Sequence, residues 1–182
     1  MPDWTKPMAQ SYEYYTVNPE TLADVKRLNV VTSASFNRDT ESETLGSATI
    51  DVTDSIGEAY IRCYLATNQN GVNEKFPLGP VMVQTPSSSF NGKVMNISMD
   101  SYTPLIELKE KRPPLCYTVR KGTRIMDAAY NIISENARAP VTKVEPIFET
   151  TESGEIVDKS PILQYDFVAN SNDTWLSFVI DL

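Results

Sequence analysis

From Leu28 to Tyr102 apolar and polar residues alternate in short runs, and turn chemistry interrupts them about every 8 to 12 residues, the spacing of a small antiparallel sandwich or barrel. In LGSATIDVT, Ala48, Ile50 and Val52 share one face while Thr49, Asp51 and Thr53 share the other. Before it, Val31, Ser33 and Ser35 alternate with Thr32, Ala34 and Phe36, and Asn37, Arg38 and Asp39 end the strand. The turn Asp54-Ser55-Ile56-Gly57 leads into AYIRCYLAT, where Ile61, Cys63 and Leu65 oppose Tyr60, Arg62 and Tyr64. Asn70-Gly71 marks a hairpin because both residues tolerate positive φ. Two further strands are expected at 78–84 and 93–100, joined by a loop marked by Pro86, Asn91 and Gly92. Such a run of short strands must curl to hide its edges, which predicts a small antiparallel β-barrel over residues 28–103.

The flanks differ. Residues 1–27 concentrate prolines and aromatics without a clear period and read as an N-terminal arm, whose Trp4, Tyr12, Tyr14 and Tyr15 are candidate protein-interface residues. The other reading makes Tyr12 and Tyr14 part of a first strand on the protein's own core. Beyond Pro104 an α+β domain is expected over 104–182. Pro113-Pro114 interrupts regular structure, and Thr123 is placed to cap a helix carrying Ile125, Ala128, Ala129, Ile132 and Ile133 on one stripe, stopped by Pro140. The segment 141–161 is acidic and turn-rich around Gly154, 162–168 suits a strand, and Asp173 is expected to cap a helix presenting Trp175, Leu176, Val179 and Ile180. That helix has neither a terminal Gly nor a basic last turn, so the domain reads as cut short at its C-terminus, or else as a short docked helix.

Composition then removes chemistry from the picture. The chain has no histidine, the commonest acid/base side chain near neutral pH, so neither a Ser-His-Asp nor a Cys-His site can be built from it. Cys63 and Cys116 lack C-x-x-C spacing, and Cys63, within an apolar alternation, reads as a buried free thiol rather than a disulfide partner. Asp51 with Asp54, or Glu41 with Glu43, is the best available carboxylate pair for glycoside hydrolysis, yet each sits where solvated carboxylates ordinarily sit. No calcium loop or Gly-rich phosphate loop occurs. The expectation is no catalytic residue, no cofactor and no metal, hence no enzyme. A formal charge of −8 opposes specific nucleic-acid binding, and the one basic cluster, Lys109, Lys111, Arg112, Arg120, Lys121 and Arg124, is either solvated or turned to an acidic partner. No run reaches the roughly 20 apolar residues of a membrane span.

The order of parts carries one resemblance. An A-x-I strand at Ala48–Ile50, a G-x-x-x-I-R-C-Y strand from Gly57 to Tyr64, the Asn70-Gly71 hairpin, the Leu78-Gly79 pair and the segment from Tyr102 to Glu107 resemble the first domain of the tail-hub (baseplate hub) proteins of tailed bacteriophages and contractile injection systems. KGTRIMDAAYNIISENARAP and NDTWLSFVIDL are similar to helices that follow in that family. The resemblance spans about Val30 to Leu182 and implies a homotrimeric ring at the distal end of the tail tube, in a virion assembled in the host cytoplasm, holding the spike or tail-tip proteins below. The partners it implies are other tail proteins, with DNA free to pass through an acidic lumen. Family hubs are much longer, so a second barrel would be missing here. Two other classes stay open: a receptor- or carbohydrate-binding module of the tail tip using Tyr60 and Tyr64 as a stacking platform, and a lytic hydrolase.

Overall fold

The computed structural model describes residues 1–90 and 92–182, with only the main chain of Thr85. The chain divides into two compact units, Met1–Pro104 and Leu105–Leu182.

The first unit is a seven-stranded antiparallel sheet of β1 (Ala9–Val17), β2 (Asp24–Leu28), β3 (Val31–Asn37), β4 (Ser47–Val52), β5 (Tyr60–Gln69), β6 (Val72–Phe90) and β7 (Met95–Tyr102). Their spatial order is β2-β1-β5-β6-β7-β4-β3. β2 and β3 are thus consecutive in sequence yet form the two outer edges, with Asn29 and Val30 alone between them. Three peptide steps reach at most about 10 Å, so the sheet must bend round until its edges meet at this link. The core explains the bend. Tyr14, Leu28, Ala34, Phe36, Ile50, Ile61, Val81, Ile97 and Met99 pack into one cluster drawn from all seven strands. Among the described residues no pairing joins β2 to β3. Hydrogen bonds therefore do not close the expected barrel, and the sheet is curled but open.

Bulges reconcile sequence parity with this inward face. The register slips between Val31 and Ser33, so Val31 reaches the same core as Ala34 and Phe36 although plain alternation separates them. β6 slips twice, once where it faces Arg62 to Tyr64 and once between Val83 and Pro86. Through these slips a 19-residue strand pairs first with β5 and then with β7. Its far half corrects the expected loop after position 84, since Pro86 to Phe90 continue the ladder against Met99 to Met95. Asn91, expected in that loop, lies outside the described residues. The 1–27 segment also needs correction: Ala9–Val17 is no free arm but pairs along its length with β5 and with β2 on its other side. At the β5–β6 turn Asn70 and Gly71 both have positive φ, 53° and 82°, as the hairpin requires.

The second unit contains α1 (Ile106–Lys109), β8 (Thr118–Val119), α2 (Ile125–Asn136), β9 (Phe148–Thr150), β10 (Ile156–Asp158), β11 (Phe167–Val168) and α3 (Trp175–Asp181). Its core gathers Leu108, Val119, Ala128, Ile132, Leu163, Trp175, Leu176 and Phe178. Tyr117 stands edge-on to Trp175 and Phe178, at centroid distances of 4.8 and 5.6 Å, and Phe167 packs on Phe178 at 4.9 Å. Such ring pairs add to simple burial.

Three local expectations are corrected here. α2 is capped by Arg124 with no side-chain bond, and its first N–H, from Ile125, is satisfied by the carbonyl of Pro161 rather than by Thr123. α3 begins at Thr174, not Asp173: Thr174 and Ser177 form a reciprocal capping box, while Asp173 accepts the N–H of Asn170. In the 162–168 segment only Phe167–Val168 is a strand, paired with β8, and Ile162 forms an isolated bridge with Arg124. No helix among the described residues is long and apolar enough to cross a membrane.

Candidate functional site

The four aromatic residues proposed from sequence separate into two kinds. Trp4 and Tyr12 are 52% and 57% exposed, Trp4 leaning on Phe76 with ring centroids 5.5 Å apart. Tyr14 and Tyr15 are engaged within the sheet, because neighbouring residues of β1 point to opposite faces. Tyr14 packs on the core cluster beside Cys63, and burial followed by that thiol pushes its hydroxyl up to about 12. Burial likewise pushes the Cys63 thiol to about 11, against a lowering hydrogen bond from Tyr14. Tyr15 stands edge-on to Tyr64 at 5.6 Å and donates to Glu13 at 3.0 Å.

That outer face of β1, β2 and β5 is an organised polar lattice. Glu13 bonds Lys75, which holds its carboxyl below the usual range, and also pairs with Arg27 at 3.5 Å. Arg62 donates to Asp24 at 2.9 Å and to the Leu22 carbonyl at 2.8 Å, and the Tyr64 hydroxyl donates to Asp24 at 2.8 Å. These bonds tie the β2 edge back onto β5. Tyr60 is only 3% exposed, so the Tyr60–Tyr64 stacking platform is not present as a pair of open rings.

Further along the same outer face, over β3, β4, β6 and β7, lies a polar depression of about 410 Å³ lined by Thr32, Asp51, Ser87, Ser88, Ser89, Asn96 and Ser98. It contains no aromatic residue. Asp51 sits within it, and hydrogen bonds from Ser33 and then Ser98 hold its carboxyl below the ordinary value. A general acid for glycoside hydrolysis needs its value raised, so the geometry moves Asp51 away from that role. Asp54, its suggested partner, caps the N–H of Ser55 in an exposed turn. Among the described residues no group of three acidic or cysteine side chains converges as a metal site.

The edges of the sheet differ in chemistry. β2 presents Asp24, Lys26 and Arg27, and charge of this kind blunts an edge against strand addition. β3, Val31–Asn37, contains no charged residue and no proline, and among the described residues β4 is its sole strand neighbour. Elsewhere in the sheet the β6–β7 hairpin exposes Phe90 and Met95, which pair directly across the ladder. Sequence reasoning located neither feature, since an edge is defined by the strand that is absent rather than by its own pattern.

No protein-family model and no curated protein matches the sequence. Among solved structures, the crystal structure of the tail protein from Neisseria meningitidis MC58 aligns with 69% of this chain and 33% of its own length, at 10% identity and a TM-score of 0.47. The aligned part of this chain thus spans only about a third of that protein's length, and likeness at this level assigns neither fold nor function.

Proposed function

We propose that this chain is a non-enzymatic structural subunit of a bacteriophage tail, of the baseplate-hub kind, joining the distal end of the tail tube to the spike or tip proteins. The observation that carries the reading is the curled sheet with one uncharged, seven-residue edge strand, β3, left open for a neighbour. Strand addition at such an edge supplies main-chain hydrogen bonds and fixes the orientation of one subunit on the next. The ordered sequence parts that resemble tail hubs fall on this same sheet: Ala48–Ile50 in β4, Tyr60–Tyr64 in β5, and Leu78-Gly79 at the first slip of β6. In this reading three copies form a ring, DNA passes without specific binding, and the mature protein resides in the virion.

Cross-linking mass spectrometry on purified tails tests the proposal. Cross-links from the Val31–Asn37 region to a second tail protein or a second copy are expected, together with density at the distal end of the tube in a particle map. Tails that assemble fully and infect without this chain would overturn it. A tail-tip glycan receptor is the second reading, favoured only by the hydroxyl-lined depression around Asp51 and Ser98. Glycan binding lost on Ser98→Ala, with tails otherwise complete, would move the assignment there.

A further inference from the structure

At one end of the first unit β1, β5 and β6 run on beyond their neighbours. β2 reaches along β1 only to Tyr14, and β7 reaches along β6 only to Met82. In this projecting part Tyr12, Leu65 and Phe76 stand opposite one another in one row, and Gln10, Thr67 and Glu74 in the next. Strand alternation puts Leu65, Thr67 and Gln69 on the same face as Ile61 and Cys63, so these rows carry the inward face past the core cluster. The last rows of a sheet ordinarily meet water. Thr67 is nevertheless only 3% exposed, with its hydroxyl 3.4 Å from the Glu74 carbonyl.

The cover is the segment ahead of β1. The Asp3 N–H donates to the Gln69 side-chain oxygen at 2.8 Å, and the Gln69 side-chain nitrogen donates to the Asp3 carbonyl at 3.0 Å. One amide thus both accepts and donates, as a neighbouring strand would. Trp4 then rests on Phe76. Gln69 lies two residues along β5 from Thr67, and Phe76 lies diagonally across from it on β6, so a chain held at both points passes over Thr67. Little else holds that chain. Trp4, Thr5, Lys6 and Pro7 are all exposed, and a surface turn, closed by the Lys6 N–H on the Asp3 carbonyl at 3.1 Å, sends the chain back toward β1. Segments with few buried apolar contacts and exposed hydrogen bonds open at far lower free energy than a core does.

We infer that residues 1–5 form a strap, latched by Gln69, which opens by itself while the seven-stranded sheet stays folded. Opening uncovers the face of Leu65, Thr67 and Phe76, and closing shields it. The device belongs to the first unit and depends on no reading of the particle the chain serves.

Thiol labelling of the full chain tests it. Thr67→Cys in a Cys116→Ser background leaves two thiols on one face of β5, Cys63 in the core and the other beneath the strap. A thiol reagent is expected to modify position 67 at least about 10-fold faster than Cys63, because only the strap need open there. Adding Trp4→Ser or Gln69→Ala should speed position 67 by a further factor of about 10, the scale of one or two lost surface contacts, and leave Cys63 as slow as before. Continued protection of Cys63 shows that each variant is folded. Equal rates at the two positions would overturn the inference, since access would then need the whole unit to unfold. A rate at position 67 indifferent to Trp4→Ser and Gln69→Ala would overturn it as well, because the strap would not be the cover. Acrylamide quenching of Trp4 fluorescence checks the strap without altering Thr67, over a background from the buried Trp175. Gln69→Ala should raise the quenching, and an unchanged value would mean that Gln69 is no latch.

Discussion

Leu28 and Val31 are three residues apart in the chain and belong to opposite edges of one seven-stranded sheet. The link between them can be this short because the inward side chains of every strand meet in one cluster. Ile50 and Ile61 lie at its centre, both with no solvent exposure.

Ile50→Ala should therefore destabilise the whole first unit rather than fray one hairpin. The expected loss is about 2 to 5 kcal/mol, the range for truncating a buried aliphatic side chain. Urea denaturation followed by circular dichroism in the β region should show an earlier midpoint with the slope kept. An unchanged midpoint would mean that the cluster is not the common core of the sheet.

In the second unit the carboxylate of Glu107, almost fully buried, accepts from the Arg138 side chain at 2.7 Å and from the Arg138 backbone N–H at 2.8 Å. The bonds tie α1 to the segment after α2. Because the Arg138 side chain is half exposed, it rehydrates once its partner is removed, and the loss is that of charge-assisted hydrogen bonds. Glu107→Ala should cost roughly 1.5 to 3 kcal/mol, and Arg138→Ala should cost more because it leaves the buried carboxylate with fewer donors. Thermal melts of the two variants rank them; the reverse order would refute this account.

Gly46 has φ +152°, and a Cβ placed there would stand 2.7 Å from the carbonyl oxygen of Asn37. Backbone must move to admit a side chain, since the contact is with main chain at the β3–β4 connection. Gly57, at φ +71°, meets nothing within 4 Å. Gly57→Ala should thus cost only the left-handed conformation, about 1 kcal/mol, whereas Gly46→Ala should add a clash on the order of 1 to 3 kcal/mol. Melting temperatures of the two variants compare the terms, and equal shifts would show that the 2.7 Å approach relaxes freely.

The same physical terms separate what was legible in the sequence from what was not. Ala48, Ile50 and Val52, and Ile61 with Cys63, announce their strands because each has one dry and one wet face, and the structure buries them all. β1 was legible only as the alternative to a free arm, because its outer face holds Glu13 and Tyr15 in a lattice with Lys75 and Tyr64, which blurs the apolar alternation. The length of β6 was hidden by Pro77, Pro80 and Pro86, residues that normally argue against a strand but are accommodated beside its register slips. α1 spans four residues, too few to show a helical period. In α3, two turns long, Trp175 and Leu176 are buried and Val179 packs on the core as expected, but the end of the stripe is shifted: Phe178 is fully buried and Ile180 is 57% exposed. The interface aromatics divided for a similar reason, since β-strand alternation sends Tyr14 inward and Tyr15 outward whatever their chemistry.

The pair Tyr14 and Cys63 makes the last prediction, and it has two readouts. Cys63 is buried while Cys116 is exposed, and both are free thiols. Thiolate is the reactive form, and burial raises the Cys63 value to about 11. A thiol-specific disulfide reagent at neutral pH should thus modify Cys116 quickly and Cys63 only after unfolding. The stability dependence follows from the same shifts. Both groups ionise at higher pH in the folded chain, so between the ordinary thiol value of 9.0 and the folded Tyr14 value of about 12 the unfolded chain holds fewer protons than the folded one. Stability is then full below about pH 9 and falls as pH rises through this window. Tyr14→Phe combined with Cys63→Ala should flatten that alkaline fall, even if the double variant starts from lower stability at pH 7. An equally steep alkaline loss in the double variant would assign it to other groups, and two equally reactive thiols in the folded protein would contradict the burial of Cys63 itself.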